Sequence, residues 1–217
     1  MADLKIKEQT TNKAREANGN MIFVTGTPDG AIYTMDYVIA AALEGRLFHT
    51  QVGTVTTPVA THATTATLQP ELVIDVPSGT AIIPVEIAVY LETFAGALAD
   101  VVAMTSTALR GAGTSTAGSA LSTRTDRSVT SGCSIYHTYT GNAVAVAGVV
   151  EFWRYGNPWI TATAEGNPIF KFEYSVRKNT PQVIIGPGSV SLCIGAATTG
   201  PTGFWTASWI ELPSSTV

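Results

Sequence analysis

Three histidines, His49, His62 and His137, and two cysteines, Cys133 and Cys193, carry the widest chemical repertoire in this chain. An imidazole acts as a general base or metal ligand, and a thiolate as a nucleophile or ligand, when a carboxylate or second ligand stands nearby. Along the sequence that condition is not met. Each histidine neighbours Thr or Tyr, and the cysteines lie far apart in strand-like runs. They read as sheet or core histidines and as free buried thiols behaving as small hydrophobes. Glu86 and Glu92 sit on one extended run, where six residues separate them by about 20 Å, too far for a glycosidase pair. A pair across strands, Glu151 with Glu173 for instance, is geometrically conceivable. "VTGTPDG" has glycines but neither the lysine nor the following helix of a phosphate cradle. No nucleophile elbow, zinc-helix motif, P-loop or dinucleotide fingerprint occurs. The expectation is a protein that is not an enzyme and uses no cofactor or metal.

Composition narrows the class. Of 217 residues, 13% are charged, against roughly 25% in soluble domains, and 45% are hydrophobic. Threonine is about 15% of the chain, which favours strands. A net charge of −4 without a basic stripe argues against nucleic acid as a partner. No run approaches the roughly 18 apolar residues of a membrane span, and the first 20 residues lack the apolar core of a signal peptide. Synthesis in a cytoplasm, with no membrane partner, is expected.

The elements follow from patterning. Residues 1–20 hold 7 of the 28 charged residues and few hydrophobes, which predicts a flexible polar N-terminal arm ahead of a body spanning 21–217. "NMIFVTGTPDGAIYTMDY" reads as a hairpin turning at "TPDG". "DYVIAAALEG" is the single expected helix, capped by Asp36 and stopped by Gly45. Beyond Arg46 the pattern is β throughout. In "PVEIAVYLETF", Val85, Ile87, Val89 and Leu91 alternate with Glu86, Tyr90 and Glu92, so the first set is expected on one buried face. Phe170, Phe172, Tyr174 and Val176 oppose Lys171, Glu173, Ser175 and Arg177 in the same way. "RGAGTSTAGSALSTRTDRS" is of low complexity and predicts a long exposed loop. About ten short strands with regular turn signals imply an all-β, antiparallel, jelly-roll-like β-sandwich.

Three windows lack Asp, Glu, Lys and Arg altogether: residues 47–70, 128–150 and 179–210. Solvent-facing sheets ordinarily carry charge, so such neutral faces point to surface covered by other subunits. Phe152, Trp153, Tyr155, Trp159, Phe204, Trp205 and Trp209 exceed one small core layer and are the expected intersubunit or capsid contacts.

The segments "GNMIFVTGTPDGAIYTMDY", "EGRLFHTQVGTVTTP", "ELVIDVPSGTAIIPVEI", "FWRYGNP" and "GPTGFWTASWIELPSS" together span most of the chain. They resemble a loose group of virion proteins from tailed bacteriophages and environmental viral sequences. That resemblance implies a single jelly-roll domain in a capsid, as a decoration or cement protein on the shell surface, with no catalytic residues to transfer. A homo-oligomer, as a trimer, bound to the lattice of the major capsid protein is the expected form. Two alternatives stay open. One is a receptor- or glycan-binding spike head using Tyr136, Tyr139, Trp153 and Trp159, and the other is a small jelly-roll protein that builds the main shell.

Overall fold

The structure is a computed structural model that describes residues 36–62, 68–93, 99–126, 129–145, 147–157, 169–173, 182–196 and 200–216. The expected arm, most of the "TPDG" hairpin, Trp159 and residues 174–177 fall outside these. The one described α-helix, α1 (Tyr37–Leu43), starts where the Asp36 carboxylate accepts the N–H groups of Val38 and Ile39, at 2.8 and 3.4 Å. It stops where Gly45 takes φ +74°, a conformation closed to most side chains. No helix among the described residues is long and apolar enough to cross a membrane.

Among the described residues, thirteen strands form two packed antiparallel sheets. They are β1 (Leu47–Val52), β2 (Val59–Ala60), β3 (Leu72–Val76), β4 (Thr80–Leu91), β5 (Ala99–Ser106), β6 (Thr116–Ala117) and β7 (Leu121–Ser122). After them come β8 (Ser134–His137), β9 (Val150–Asn157), β10 (Ile169–Glu173), β11 (Ile184–Ile185), β12 (Gly188–Ala196) and β13 (Thr202–Pro213). The first sheet runs β10-β4-β13-β1-β7, with β11 attached to β4 and β2 to β13; the second runs β6-β8-β3-β12-β5-β9. Setting aside the strands of two to four residues leaves eight. Among these the first pairs with the last (β1 with β13), the second with the seventh (β3 with β12), the third with the sixth (β4 with β10) and the fourth with the fifth (β5 with β9). This nesting is what a jelly roll requires: four strand pairs stacked as one long hairpin, then rolled into two sheets.

The core lies between the sheets. Trp205, Ala207 and Trp209 of β13 meet Leu72, Ile74, Val101, Val190, Leu192 and Ile194 from the opposite layer. Two bulges alter the simple alternation. Ser208 pairs with Glu86 but Trp209 pairs with Pro84, leaving Val85 as the extra residue of β4. Proline, which cannot donate to a ladder, is tolerated at such a place. Val85 therefore does not share the core face of Ile87, Val89 and Leu91, as strict alternation suggested. It packs outside the sheet with Val38, Ala41, Ile83, Ile210 and Leu212, under α1. Ala103 of β5 pairs with Trp153 of β9 but Met104 pairs with Glu151, leaving Phe152 as the extra residue of β9, and Phe152 and Trp153, consecutive in sequence, both reach Phe172.

The outer side of the second sheet is covered by the chain itself. Val73 packs with Tyr139 and Ala143, and Cys193 with Val102 and Met104. Asp75 accepts the N–H groups of Arg110 and Gly111, and the Tyr139 hydroxyl donates to the Gly111 carbonyl. All nine residues of β12 are buried as a result. The segment 110–126 is accordingly not one exposed loop: Arg110 is 1% exposed, β6 extends the second sheet and β7 the first. Backbone ladder bonds need no apolar pattern, so nothing in "GTSTAGSALST" marked them in advance.

Candidate functional site

Six of the seven aromatic residues expected to meet other chains lie among the described residues, and Trp159 lies outside them. Trp205 and Trp209 are 0% exposed and lie wholly in the chain's own core. Neither offers a surface to a partner, which corrects the expectation for both. Their parity on β13 aims them between the sheets, on the face they share with Gly203 and Ala207. Phe152 and Trp153 are half-buried and close the side of the sandwich where β9 and β10 form the sheet edges. Their rings sit 5.4 and 6.2 Å from Phe172, edge-on and tilted respectively. Tyr155 leans on Phe170 at 4.7 Å and stays 50% exposed. Phe204 alone stands on an outer sheet face, stacked on Tyr90.

That outer face of β13 is continuous. Phe204, Thr206 and Ser208 are all half-buried and lead into Ile210 and Leu212, which α1 covers. Beside them lie Gln51 and His49 on β1, cross-strand partners of Thr206 and Ser208, and His49 Nδ1 is 3.1 Å from the Ser208 hydroxyl. On the other flank Lys171 bridges Glu86 and Glu173 at 2.9 and 2.6 Å. The strip is thus uncharged in its middle and bordered by one ion cluster. At its far end α1 turns Tyr37, Ile39 and Leu43 outward, 41%, 56% and 55% exposed. Apart from the Tyr37 hydroxyl, the side chains of this seven-residue helix are apolar, so its outward side is apolar as well.

Elsewhere the chemistry is closed off. An open cleft of about 350 Å³ beside Arg46, Phe48, Thr80 and Val129 contains Glu211. The Glu211 carboxylate already accepts from the Ser131 hydroxyl, the Gly132 N–H at 3.0 Å and Trp209 Nε1–H at 3.1 Å. Glu151 is held by Arg154, which also bridges Asp100, while Glu173 belongs to the Lys171 cluster. The two glutamates belong to different sheets and to separate ion clusters. His137 contacts the Thr138 hydroxyl at 2.9 Å, and burial lowers its pKa. Cys193 is pushed up to about 12 by burial, and Cys133 is raised further by burial and by Glu211. No group of three or more His, Cys, Asp or Glu among the described residues is placed to hold a metal.

One arrangement escaped the sequence. His62 meets the carboxylate of Glu71, nine residues away, with Nδ1 2.6 Å from Oε1. Neither residue lies in a strand whose periodicity would align them. Of the aromatics considered for sugar stacking, Tyr139 is 1% exposed and Tyr136 and Trp153 are half-buried, while Trp159 lies outside the described residues. Comparison of the chain with protein-family models, with curated proteins and with solved structures yields no match.

Proposed function

We propose that this chain is a structural virion protein, a homo-oligomeric decoration or cement component of a bacteriophage capsid surface. The observation that carries the reading is the outer face of β13, an uncharged strip running from the Tyr90–Phe204 stack to the apolar exposed side of α1. A lone soluble domain places charge on such a surface, whereas a subunit interface favours neutral, partly aromatic faces. The jelly-roll order adds support by analogy, since this architecture recurs in capsid, lectin and cupin domains and is not specific to one role. The quoted segments that resemble tailed-phage virion proteins point the same way. Part of the neutrality has an internal origin, because β12 is covered on both faces by its own chain.

The test is the mass of the full chain in solution on dilution, with electron microscopy of the same sample. A concentration-independent trimer without closed particles supports decoration. Closed particles formed unaided support a shell builder, and a stable monomer overturns assembly as its role. Removing residues 1–20 then asks whether the polar arm carries lattice binding: retention of binding by the truncated, folded protein removes the arm from the interface.

A further inference from the structure

His62 closes the segment after β2, bridges Gly195 of β12 through its backbone, and places its ring between two acceptors. Nδ1 lies 2.6 Å from Glu71 Oε1 and Nε2 lies 2.9 Å from the Tyr139 carbonyl oxygen. Beside an ionised Glu71, a neutral imidazole with its single N–H would set a nitrogen lone pair against an oxygen at one of these contacts, whereas an imidazolium donates to both. Glu71 strengthens the case. Its side chain is 1% exposed, its Oε1 also accepts the His62 backbone N–H at 3.0 Å, and its buried Oε2 has no partner among the described residues. A buried carboxylate so placed is stabilised by an adjacent cation, and a protonated ring would be one.

We infer that Glu71, imidazolium His62 and the Tyr139 carbonyl form a proton-operated latch. It joins the 54–62 segment, the entry to β3 and the 138–140 segment, and it opens as pH rises. The other ionisable groups nearby are few among the described residues. Arg110 and Cys193 lie on the same outer side of the second sheet, Asp75 is engaged by backbone N–H groups, and the Tyr139 phenol bonds Gly111. Residues 63–67, which follow His62, carry no ionisable side chain.

The signs agree. The hydrogen bond to Glu71 raises His62 above 6.5, more than desolvation lowers it. Burial raises Glu71, more than His62 lowers it. Both shifts mean that the folded chain holds the proton more firmly than the unfolded chain. The His62 contribution is complete below pH 6.5 and is lost as pH climbs through the folded pKa; the Glu71 shift likewise makes stability fall with rising pH. Opening would free the two segments while leaving the core layers intact.

The experiment is 15N NMR of the histidine rings in the full chain from pH 5.5 to 9, with amide exchange followed in parallel. Both His62 ring nitrogens are expected to be protonated at pH 6.5, with a midpoint above 6.5 and a matching rise in exchange for residues 54–62 and 138–140. His62→Gln is expected to flatten the fall in melting temperature between pH 6.5 and 9, a fall of a few degrees in the unaltered protein. A ring with one proton at pH 6.5, or a midpoint at or below 6.5, overturns the latch. If His62→Gln does not fold, the ring spectrum of the unaltered chain decides alone.

Discussion

Phe204 lies flat on Tyr90, with ring centroids 4.6 Å apart and planes 8° from parallel. The residues are direct cross-strand partners on β13 and β4, and Ile169 of β10, 59% exposed, extends the same row. Three neighbouring strands thus present an apolar ledge that water reaches. Stacking of this kind is worth roughly 0.5–1.5 kcal/mol beyond area burial. Replacing Phe204 by Ala should lower stability by about 1 kcal/mol in denaturant titration while the chain still folds. Light scattering on the same variant should show a larger effect, loss of the oligomer. An unchanged oligomer would remove this ledge from the interface.

The two buried tryptophans of β13 differ in one atom's surroundings. Trp209 Nε1–H donates to Glu211, whereas buried Trp205 Nε1–H has no partner among the described residues. Replacement by Phe removes similar volume at both sites but a charge-assisted hydrogen bond at one only. Trp209→Phe should therefore cost more than Trp205→Phe, by roughly 1–3 kcal/mol. Urea midpoints of the two variants check the order, and equal costs would contradict it.

Both thiols are buried and unpaired. Burial holds Cys193 near 12 and raises Cys133 as well, so neither is a thiolate at pH 8. Ellman's reagent should find almost no reactive thiol in the native protein and two after denaturation. Rapid labelling of the native state would mean that the segments over the second sheet open readily.

Asp36 holds two N–H groups of a helix only seven residues long. A helix that short is unstable without its cap and its packing. Asp36→Ala should cost about 1 kcal/mol, and amide exchange should rise in 38–43 before it rises in β13. Protection that is unchanged in the variant would mean that packing on Ile210 and Leu212 alone holds the helix.

What could be read from the chain in advance was whatever has a period. The alternation in 169–173, the Asp36 cap and the Gly45 stop all appear where patterning put them. The sandwich follows from them, and its rolled order agrees with the expectation drawn from strand count and turn spacing. Two extra residues broke the alternation elsewhere. Val85 and Phe152 each move a neighbour to the other face, and no local signal beyond Pro84 announced either shift. Trp205 and Trp209 illustrate a second limit: side-chain size shows that a large apolar group must be covered, but not by which molecule. The His62–Glu71 contact marks a third, since it depends on two segments meeting across a connection with no periodic pattern.

Pairing β1 with β13 has a consequence in time. Phe48 faces Trp209 across that ladder, with some 160 residues of chain between them. A nascent chain leaving the ribosome holds β1 long before its neighbour exists, and pairings so distant in sequence form late and slowly. The middle of the first sheet is therefore the last part of the molecule to be completed, and a chain halted before residue 202 has no outer strip at all. Any partner that reads that strip meets finished molecules only, so quality control comes with the topology.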